Sequence, residues 1–295
     1  VATPIMKPAL RLPGIFSTTT GMPPDVLPET MRSLMDACNP SIPLNILHEI
    51  TADMSIETHR YTDLALNDPI GVVGFPSVGL VSSILANYLV SQLGMEPMAG
   101  MNGSSVPPYC LIADGIAYPP IRVYGAKSRT KTGRDIVICT SEFAPKAEEC
   151  YQIGTSVLSE LRNLGCRQVI CLEGIPRTSD DEKIVICGSG PNSDRMIESS
   201  GLPKMDNGMV KGISGVILCE SNPRGMGAVT LMCPANPNLP DPGSAVEFLE
   251  PLSRMIRGLK VSPKPLIDEA EAIRKKIKAD QASIEKEQKQ NTIYG

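Results

Sequence analysis

The residues best placed for chemistry are two carboxylates and an arginine that follow predicted strands. Glu142 comes directly after the apolar run 136–140, and Glu173 and Arg177 follow the run 168–172. Ligands bind at the carboxyl ends of strands in parallel sheets, so these three side chains are candidates for a ligand pocket. Nothing in their spacing specifies a reaction. We therefore assign no catalytic residue.

A glycine-rich turn is the second candidate. Gly71, Gly74 and Gly79 lie between a predicted strand, 70–74, and a predicted helix, 78–93, which is where phosphate-binding loops occur. The spacing matches neither G-x-G-x-x-G nor G-x-x-x-x-G-K-[ST], and no lysine follows Gly79. Glycines at such a turn also let a strand and a helix pack closely, and we favour this structural interpretation.

A basic segment lies between two predicted strands. Its cations are Lys127, Arg129, Lys131 and Arg134, four within eight residues. Such a cluster could bind an anion, but a solvated basic turn explains it more simply. We therefore interpret it as a turn.

Composition argues against several classes of protein. The chain has 295 residues with a formal net charge of -4, aromatic residues make up 4% of it, and it contains no tryptophan. Nucleic-acid binders need basic grooves and stacking aromatics, so none is expected as a partner. His48 and His59 are the only histidines, which leaves little for a zinc site or an imidazole base. We expect no metal, no cofactor and no enzymatic activity.

The cysteines and one apolar run indicate where the protein works. Nine cysteines form no C-x-x-C pair and mostly lie in apolar runs, which predicts buried thiols in a reducing cytoplasm. No signal peptide is visible. The run 69–95 is uncharged and long enough to span a bilayer, but its glycines and Pro76 favour a strand, a turn and a buried helix. We predict a cytoplasmic protein without a membrane partner.

The chain divides into three regions. Residues 1–52 are rich in proline and threonine and predict an N-terminal extension with one helical candidate at 29–37. Residues 53–262 alternate strands and helices, which predicts one α/β domain with a mostly parallel or mixed central sheet flanked by helices. Residues 263–295 predict a charged C-terminal helix and tail. The apolar positions of that helix fit either a solvated tail or a helix–helix contact in an oligomer: Leu266, Ala270, Ile273, Ile277 and Ile284.

The clearest local unit is a strand, a helix and a strand. The helix starts at Pro145, ends at Gly165, and separates the strands 136–140 and 168–172, which predicts a parallel pair. A further helix is predicted at 244–256. The remaining predicted strands are 110–113, 121–124, 184–187, 216–219 and 228–232.

The last three residues form a short motif of their own. Ile293, Tyr294 and Gly295 are a hydrophobic residue, a penultimate tyrosine and a final residue with a free carboxylate. A carboxylate is a directional acceptor for a lysine, and the tyrosine offers a flat apolar body with a hydroxyl. Alone, the motif is better explained as a frayed end than as a docking element, because short tails match short motifs easily.

Four sequence blocks resemble the archaeal branch of the proteasome assembly chaperone two family. The first, VGFPSVGLV at 73–81, is similar to the opening signature of that family, and its characteristic residues are Gly74, Phe75, Pro76 and Gly79. The others are DGI and PPIRVY between residues 114 and 124, LEGIP at 172–176 and PDP at 240–242. The resemblance covers residues 54–275.

The resemblance implies a nucleoside-phosphorylase-like fold and a homo-oligomer. It also implies an ATP-independent chaperone or adaptor for the 20S proteasome. Relatives that bind the α-ring do so through tails ending in hydrophobic-Tyr-any, which Ile293, Tyr294 and Gly295 match. The resemblance therefore favours docking to 20S α subunits over a frayed end.

Two alternatives stay open at this stage. One is an ATP-dependent carboxylate-amine ligase or another phosphate-handling enzyme, which should show a Gly-rich loop with a lysine and clustered carboxylates. The other is an oligomeric scaffold with a client other than the proteasome, for which the final three residues would be a coincidence.

Overall fold

The computed structural model describes residues 56–179, 181–268 and 270–272. The predicted extension 1–52, its helical candidate 29–37 and the tail from 273 onward lie outside these ranges. The predicted boundaries of the three regions therefore stay predictions.

Ten strands are present in the described part of the chain. They are β1 (Ile56–Arg60), β2 (Ile70–Gly74), β3 (Glu96–Gly103), β4 (Leu111–Ala113), β5 (Ile116–Tyr118), β6 (Ile121–Ala126), β7 (Ile136–Ser141), β8 (Gln168–Pro176), β9 (Val185–Ser189) and β10 (Gly227–Ala235). Eight form one sheet in the order β1-β3-β6-β7-β2-β8-β10-β9, and β4 pairs with β5 as a separate hairpin.

The centre of the large sheet is parallel. β7, β2, β8 and β10 run in one direction, while β1, β3, β6 and β9 join by antiparallel pairing on either side. The four parallel strands therefore end together at one edge, marked by Ser141, Gly74, Pro176 and Ala235. We call this the carboxyl edge, and the opposite one the amino edge.

Helices cover both faces of the sheet. They are α1 (Val81–Leu93), α2 (Ala147–Asn163), α3 (Ser193–Ser200), α4 (Gly212–Ser221), α5 (Pro242–Val246) and α6 (Leu249–Met255). One core cluster joins α1, α3, α5 and α6 to the sheet and includes Leu85 and Phe248. The other joins α2 and α4 to the opposite face and includes Ile153 and Ile217. Two separate apolar cores thus hold the sheet in place.

The chain is helical again at 264–268 and 270–272. Leu266 and Ala270 are buried there. The first two positions of the predicted tail stripe therefore pack on the domain, while Ile273, Ile277 and Ile284 lie outside the described residues.

The predicted α/β fold with a mixed central sheet is confirmed. The strands at 136–140 and 168–172 are parallel as predicted, although β2 lies between them. Gly165 ends the helical segment with a φ of 89°, which a residue with a side chain rarely adopts. That helix begins at Ala147, two residues after Pro145.

Three predicted elements are wrong in type or extent. The predicted strand 216–219 is part of α4, in which Ile213 and Ile217 are buried one helical turn apart. The predicted helix 244–256 is two helices, α5 and α6. Pro251 is in the first turn of α6 and has no N–H to donate to the carbonyl of Glu247, so the helix cannot run through.

The third correction concerns the predicted helix 78–93. A single 3-10 turn, Val78–Leu80, precedes α1, and both Gly79 and Leu80 have positive φ, 65° and 53°. The uncharged run 69–95 is thus divided between β2, this turn and α1. No helix in the described ranges is long and apolar enough to cross a membrane.

Most thiols whose surroundings are described lie inside the domain. Cys139, Cys150, Cys166, Cys171 and Cys233 are buried and free. Burial raises the pKa of both the Cys139 and Cys166 thiols to about 12, so they stay protonated and unreactive at neutral pH.

Candidate functional site

Three of the four sequence blocks meet at the carboxyl edge. The turn at 74–81, which we call the signature turn, lies between β2 and α1 and contacts β8 near Gly174. Residues 240–242 join it from the other side, because the Asp241 N–H donates to the Gly79 carbonyl at 2.8 Å. The edge is therefore assembled from segments far apart in sequence.

Glycines allow this close approach. A Cβ on Gly174 would lie 2.1 Å from the Val78 carbonyl oxygen, and one on Gly74 would lie 2.6 Å from the Ser82 carbonyl oxygen. Both distances are far below van der Waals contact with backbone that has little freedom to move. The interpretation of these glycines as packing residues, rather than a phosphate loop, fits this geometry.

Polar side chains order both the signature turn and the segment that packs against it. The Ser77 hydroxyl accepts a hydrogen bond from the Gly174 N–H at 2.9 Å and lies 2.5 Å from the Ser82 hydroxyl. Asp241 caps α5, accepting from the N–H and the hydroxyl of Ser244 at 3.0 and 2.7 Å, and these bonds help to lower its pKa below the ordinary value. The sequence blocks are thus connected by hydrogen bonds as well as packing.

Arg177 belongs to this assembly. Its guanidinium donates to the Pro234 carbonyl at 2.7 Å and to the Ser244 hydroxyl at 3.1 Å, and it lies 3.6 Å from the Glu247 carboxylate. Its own N–H donates to the Ala235 carbonyl. Arg177 therefore fastens the end of β10 to α5.

Glu142 has a different partner. Arg122 on β6 donates to its carboxylate, and the arginine is only 9% exposed. A neighbouring ring, Tyr124, has a pKa raised above its ordinary value, chiefly by burial. The buried Nε of Arg122 has no hydrogen-bond partner among the described residues, so the pair is incompletely satisfied.

Glu173 lies on the opposite face of the sheet from Arg177. Its carboxylate accepts a hydrogen bond from the Ser214 hydroxyl of α4 at 2.7 Å. Burial raises the pKa of Glu173 to about 7, against which the Ser214 hydrogen bond acts weakly. Glu142 and Arg177 follow strands at this edge and Glu173 lies within β8, which extends beyond the predicted strand 168–172, but no hydrogen bond or ion pair in the described ranges joins any two of the three.

A groove lies between α2 and α4. It has a volume of about 560 Å³ and is lined mainly by apolar atoms, and Tyr151 and Glu220 are among its lining residues. The helices approach closely at Gly154, where a Cβ would lie 2.8 Å from Val216. Burial raises the pKa of the Cys150 thiol in this groove, so it is a poor nucleophile. In residues 56–179, 181–268 and 270–272, no group of three or more His, Cys, Asp or Glu side chains could hold a metal ion.

Comparison with known proteins adds to this geometry. The sequence model of the PAC2 family matches residues 71–281, more than half of the 295-residue chain. The chain belongs to the PAC2 family. The resemblance to the proteasome assembly chaperone two family is therefore confirmed.

Relatives of this PAC2 protein include solved archaeal structures. Pyrococcus furiosus PbaA, described as an archaeal homolog of proteasome-assembly chaperone, is 26% identical with a TM-score of 0.69, over 80% of this chain and 95% of that one. P. furiosus PbaB, an archaeal proteasome activator, has the same fold at 18% identity and a TM-score of 0.67, over 77% and 99% of the two chains. The uncharacterized protein MJ0106 of Methanocaldococcus jannaschii is 27% identical over 217 residues, 73% of this chain and 86% of its own.

These relatives also bear on catalysis. P. furiosus PbaA is described as a homolog of a proteasome-assembly chaperone, not as an enzyme. The prediction that this PAC2 protein is not an enzyme agrees with its family and with the solved fold it resembles.

Sequence analysis gave no role to Leu80 in the PAC2 signature turn. It is 42% exposed and has a φ of 53°, a conformation that costs a residue with a Cβ about 1–2 kcal/mol. The preceding residue, Gly79, packs closely on β10, because a Cβ added there would lie 2.9 Å from the Cβ of Ala235. The leucine is thus presented to solvent at the carboxyl edge. The sequence signal for this exposure was the position of Leu80 directly after a glycine in a turn.

Glu173 gives this PAC2 protein a pH-dependent stability. Its folded pKa of about 7 lies above the ordinary value of 4.5, so the native state binds the proton more tightly than the unfolded chain. Stability is therefore lost as pH rises from about 4.5 through 7. We expect Glu173→Gln to remove this loss and to raise the free energy of unfolding at pH 8 by roughly 3 kcal/mol.

Urea unfolding between pH 4.5 and 8, at fixed protein concentration, measures this effect. Ser214→Ala is the matched variant, because it removes the hydrogen bond that lowers the pKa of Glu173. It should raise the pKa of Glu173 further and extend the loss of stability to higher pH, whereas Glu173→Gln removes that loss. Equal slopes in the wild type and Glu173→Gln would contradict the assignment.

Proposed function

We propose that this PAC2 protein is an ATP-independent proteasome-assembly chaperone or adaptor that binds the α-ring of the 20S proteasome through Ile293, Tyr294 and Gly295. The observation that most supports this proposal is the match to the PAC2 family over residues 71–281. The likeness to PbaA at 26% identity also supports a proteasome-related chaperone role.

The chemistry of the final residues supports the site of contact. Ile293 and Tyr294 offer apolar surface and a hydroxyl, and Gly295 supplies a terminal carboxylate if the chain ends there. A carboxylate pairs well with a lysine in a partly buried pocket. All three residues lie outside the described ranges, so the proposal rests on their sequence.

The buried start of the final helical segment gives the tail a fixed origin. Leu266 is 1% exposed and Ala270 is 6% exposed. Burying such side chains contributes roughly 1–3 kcal/mol each, which anchors the segment. The chain from 271 to 292 is then the proposed spacer between the domain and the docking motif.

A homo-oligomer would bind the proteasome firmly even if each single tail binds weakly. Several copies of one tail would face repeated pockets between α subunits, and the second tail would bind at high effective concentration. Avidity gains of 10²–10⁴ are typical of such linkage. We therefore propose that the protein acts as an oligomer.

Affinity purification tests the proposal. The protein is tagged at its N-terminal end, so that the tail stays free, and is purified from its native cell with mass spectrometry of the bound proteins. We expect the α subunits of the 20S proteasome to be enriched over an untagged control. A reproducible set of partners without 20S subunits would favour the scaffold with another client.

The side chains at the carboxyl edge support binding rather than catalysis. Arg177 and Glu142 are each engaged by neighbouring protein groups. The signature turn is filled by packed backbone and has no lysine after Gly79. A phosphate-handling enzyme needs these positions free to meet substrate.

A further inference from the structure

The basic segment forms one wall of a pocket at the amino edge. The loop between β6 and β7 folds against Leu93 at the end of α1 and against residues 258–260 after α6. The enclosed volume is about 270 Å³, just below the usual range of roughly 300–1,000 Å³ for ligand pockets. We call this the amino-edge pocket. It lies at the opposite end of the parallel strands from the signature turn.

Positive charge dominates the lining of this pocket. Lys127, Arg129, Arg134 and Lys260 line it, and no aspartate or glutamate does so among the described residues. The whole chain has a net charge of -4, so this concentration of cations is local. Hydroxyls of Ser128 and Thr130 add neutral donors.

Two of the cations are held by the protein itself. Arg129 donates to the Gln92 and Leu93 carbonyls at 3.4 and 3.2 Å, which offsets the negative end of the α1 dipole. Arg134 is 14% exposed and pairs with the Asp68 carboxylate at 3.2 Å. Lys127 and Lys260 have no ion pair among the described residues. Their charge is therefore available to a ligand.

The loop that carries these groups is internally braced. Buried Asp135 accepts from the Ser128 N–H at 2.8 Å and from the Asn67 N–H at 2.7 Å. Gly258 has a φ of 91°, and a Cβ there would lie 2.7 Å from the Thr130 hydroxyl. The backbone N–H groups thus fix the Asp135 carboxylate, and the close approach at Gly258 brings the β6–β7 loop against residues 258–260. A pre-formed loop loses little entropy when a ligand binds.

We propose that the amino-edge pocket binds a small molecule carrying one or two phosphate groups. Phosphate oxygens accept several hydrogen bonds at once and pair strongly with lysine and arginine. The apolar atoms of Leu93, Ala126, Ile136 and Leu259 in the lining can contact an organic portion. The pocket is a binding site with no catalytic role.

Calorimetric titration of the full chain tests this proposal. Pyrophosphate and inorganic phosphate are the probes, in phosphate-free buffer at 0.15 M salt, where loose surface attraction is screened. We expect saturable binding of one pyrophosphate per chain. Lys127→Ala/Lys260→Ala should weaken it at least tenfold. Lys183→Ala/Lys211→Ala removes the same charge from exposed positions at the carboxyl edge and should leave affinity unchanged.

Succinate separates phosphate recognition from general anion binding, because it carries two negative charges without phosphate. It should bind at least tenfold more weakly than pyrophosphate. Thermal unfolding without ligand checks that both double variants are folded. Absence of saturable pyrophosphate binding, equal loss in the two double variants, or succinate binding as tight as pyrophosphate would each overturn the proposal.

Discussion

Deleting residues 293–295 is expected to abolish measurable binding to purified 20S proteasome without changing the oligomeric state of the protein, because the proposed docking uses these residues. Tyr294→Ala should lower the apparent affinity about 100-fold or more, because the contact energy of the tyrosine is lost in every tail of the proposed oligomer. Tyr294→Phe keeps the ring and should retain more binding than Tyr294→Ala. Surface plasmon resonance with immobilised 20S particles measures these differences.

Two further variants distinguish an effect of the last three residues from an effect of any change in the tail. Thr292→Ala changes the residue just before the motif and should leave affinity unchanged. Two residues added after Gly295 move the carboxylate and should weaken binding as strongly as Tyr294→Ala. Light scattering measures the oligomeric state of each variant. Full binding by the extended chain would show that the carboxylate is not used.

The second large effect is on stability at the carboxyl edge. Gly174→Ala places a Cβ 2.1 Å from the Val78 carbonyl oxygen and 2.8 Å from a Val81 methyl. The signature turn must then move away from β8, which also breaks the Gly174 N–H bond to Ser77. We expect a loss of about 3 kcal/mol in the free energy of unfolding.

Gly71→Ala is the matched control on the neighbouring strand. Its Cβ would lie 3.2 and 3.3 Å from the two terminal methyls of Leu161, which can rotate away. We expect a loss of about 1 kcal/mol or less. Urea unfolding at one fixed protein concentration compares the two. Equal losses would show that the close packing of the turn on β8 does not matter to stability.

The sequence predicts those parts of the fold in which local signals agree. The unit β7–α2–β8 combines apolar strands, a buried stripe on the helix and Gly165 at its end. Insertion of β2 between those strands depends on pairing between distant segments, which no local pattern contains. β3 was missed for a similar reason: it includes Pro97 and Gly100, and its pairing with β1 and β6 overrides its low strand propensity.

The error at 216–219 has a physical origin. Four apolar residues in a row fit a strand and a helix equally well. The helical period shows only when Ile213 and Ser214 are included, because they are buried one turn before Ile217 and Leu218. The helical period was missed because Ser214 is polar and was not counted as a buried position. It is buried because its hydroxyl donates to the Glu173 carboxylate.

The position of Glu142, Glu173 and Arg177 at one edge of the sheet was predictable, but their partners were not. Strand ends correctly placed Glu142, Glu173 and Arg177 at one edge. The partners Arg122, Ser214 and Glu247 come from three other segments of the chain. The three residues are therefore engaged separately, which spacing alone could not reveal.

The most direct test of the proposed function is a photo-cross-link from the tail. A photoreactive phenylalanine analogue replaces Tyr294, the full-length protein is bound to 20S proteasome and irradiated, and the cross-linked peptides are identified by mass spectrometry. We predict cross-links to α subunits, at the surface between neighbouring subunits. Cross-links confined to β subunits, or none while the complex still forms, would contradict docking through the tail.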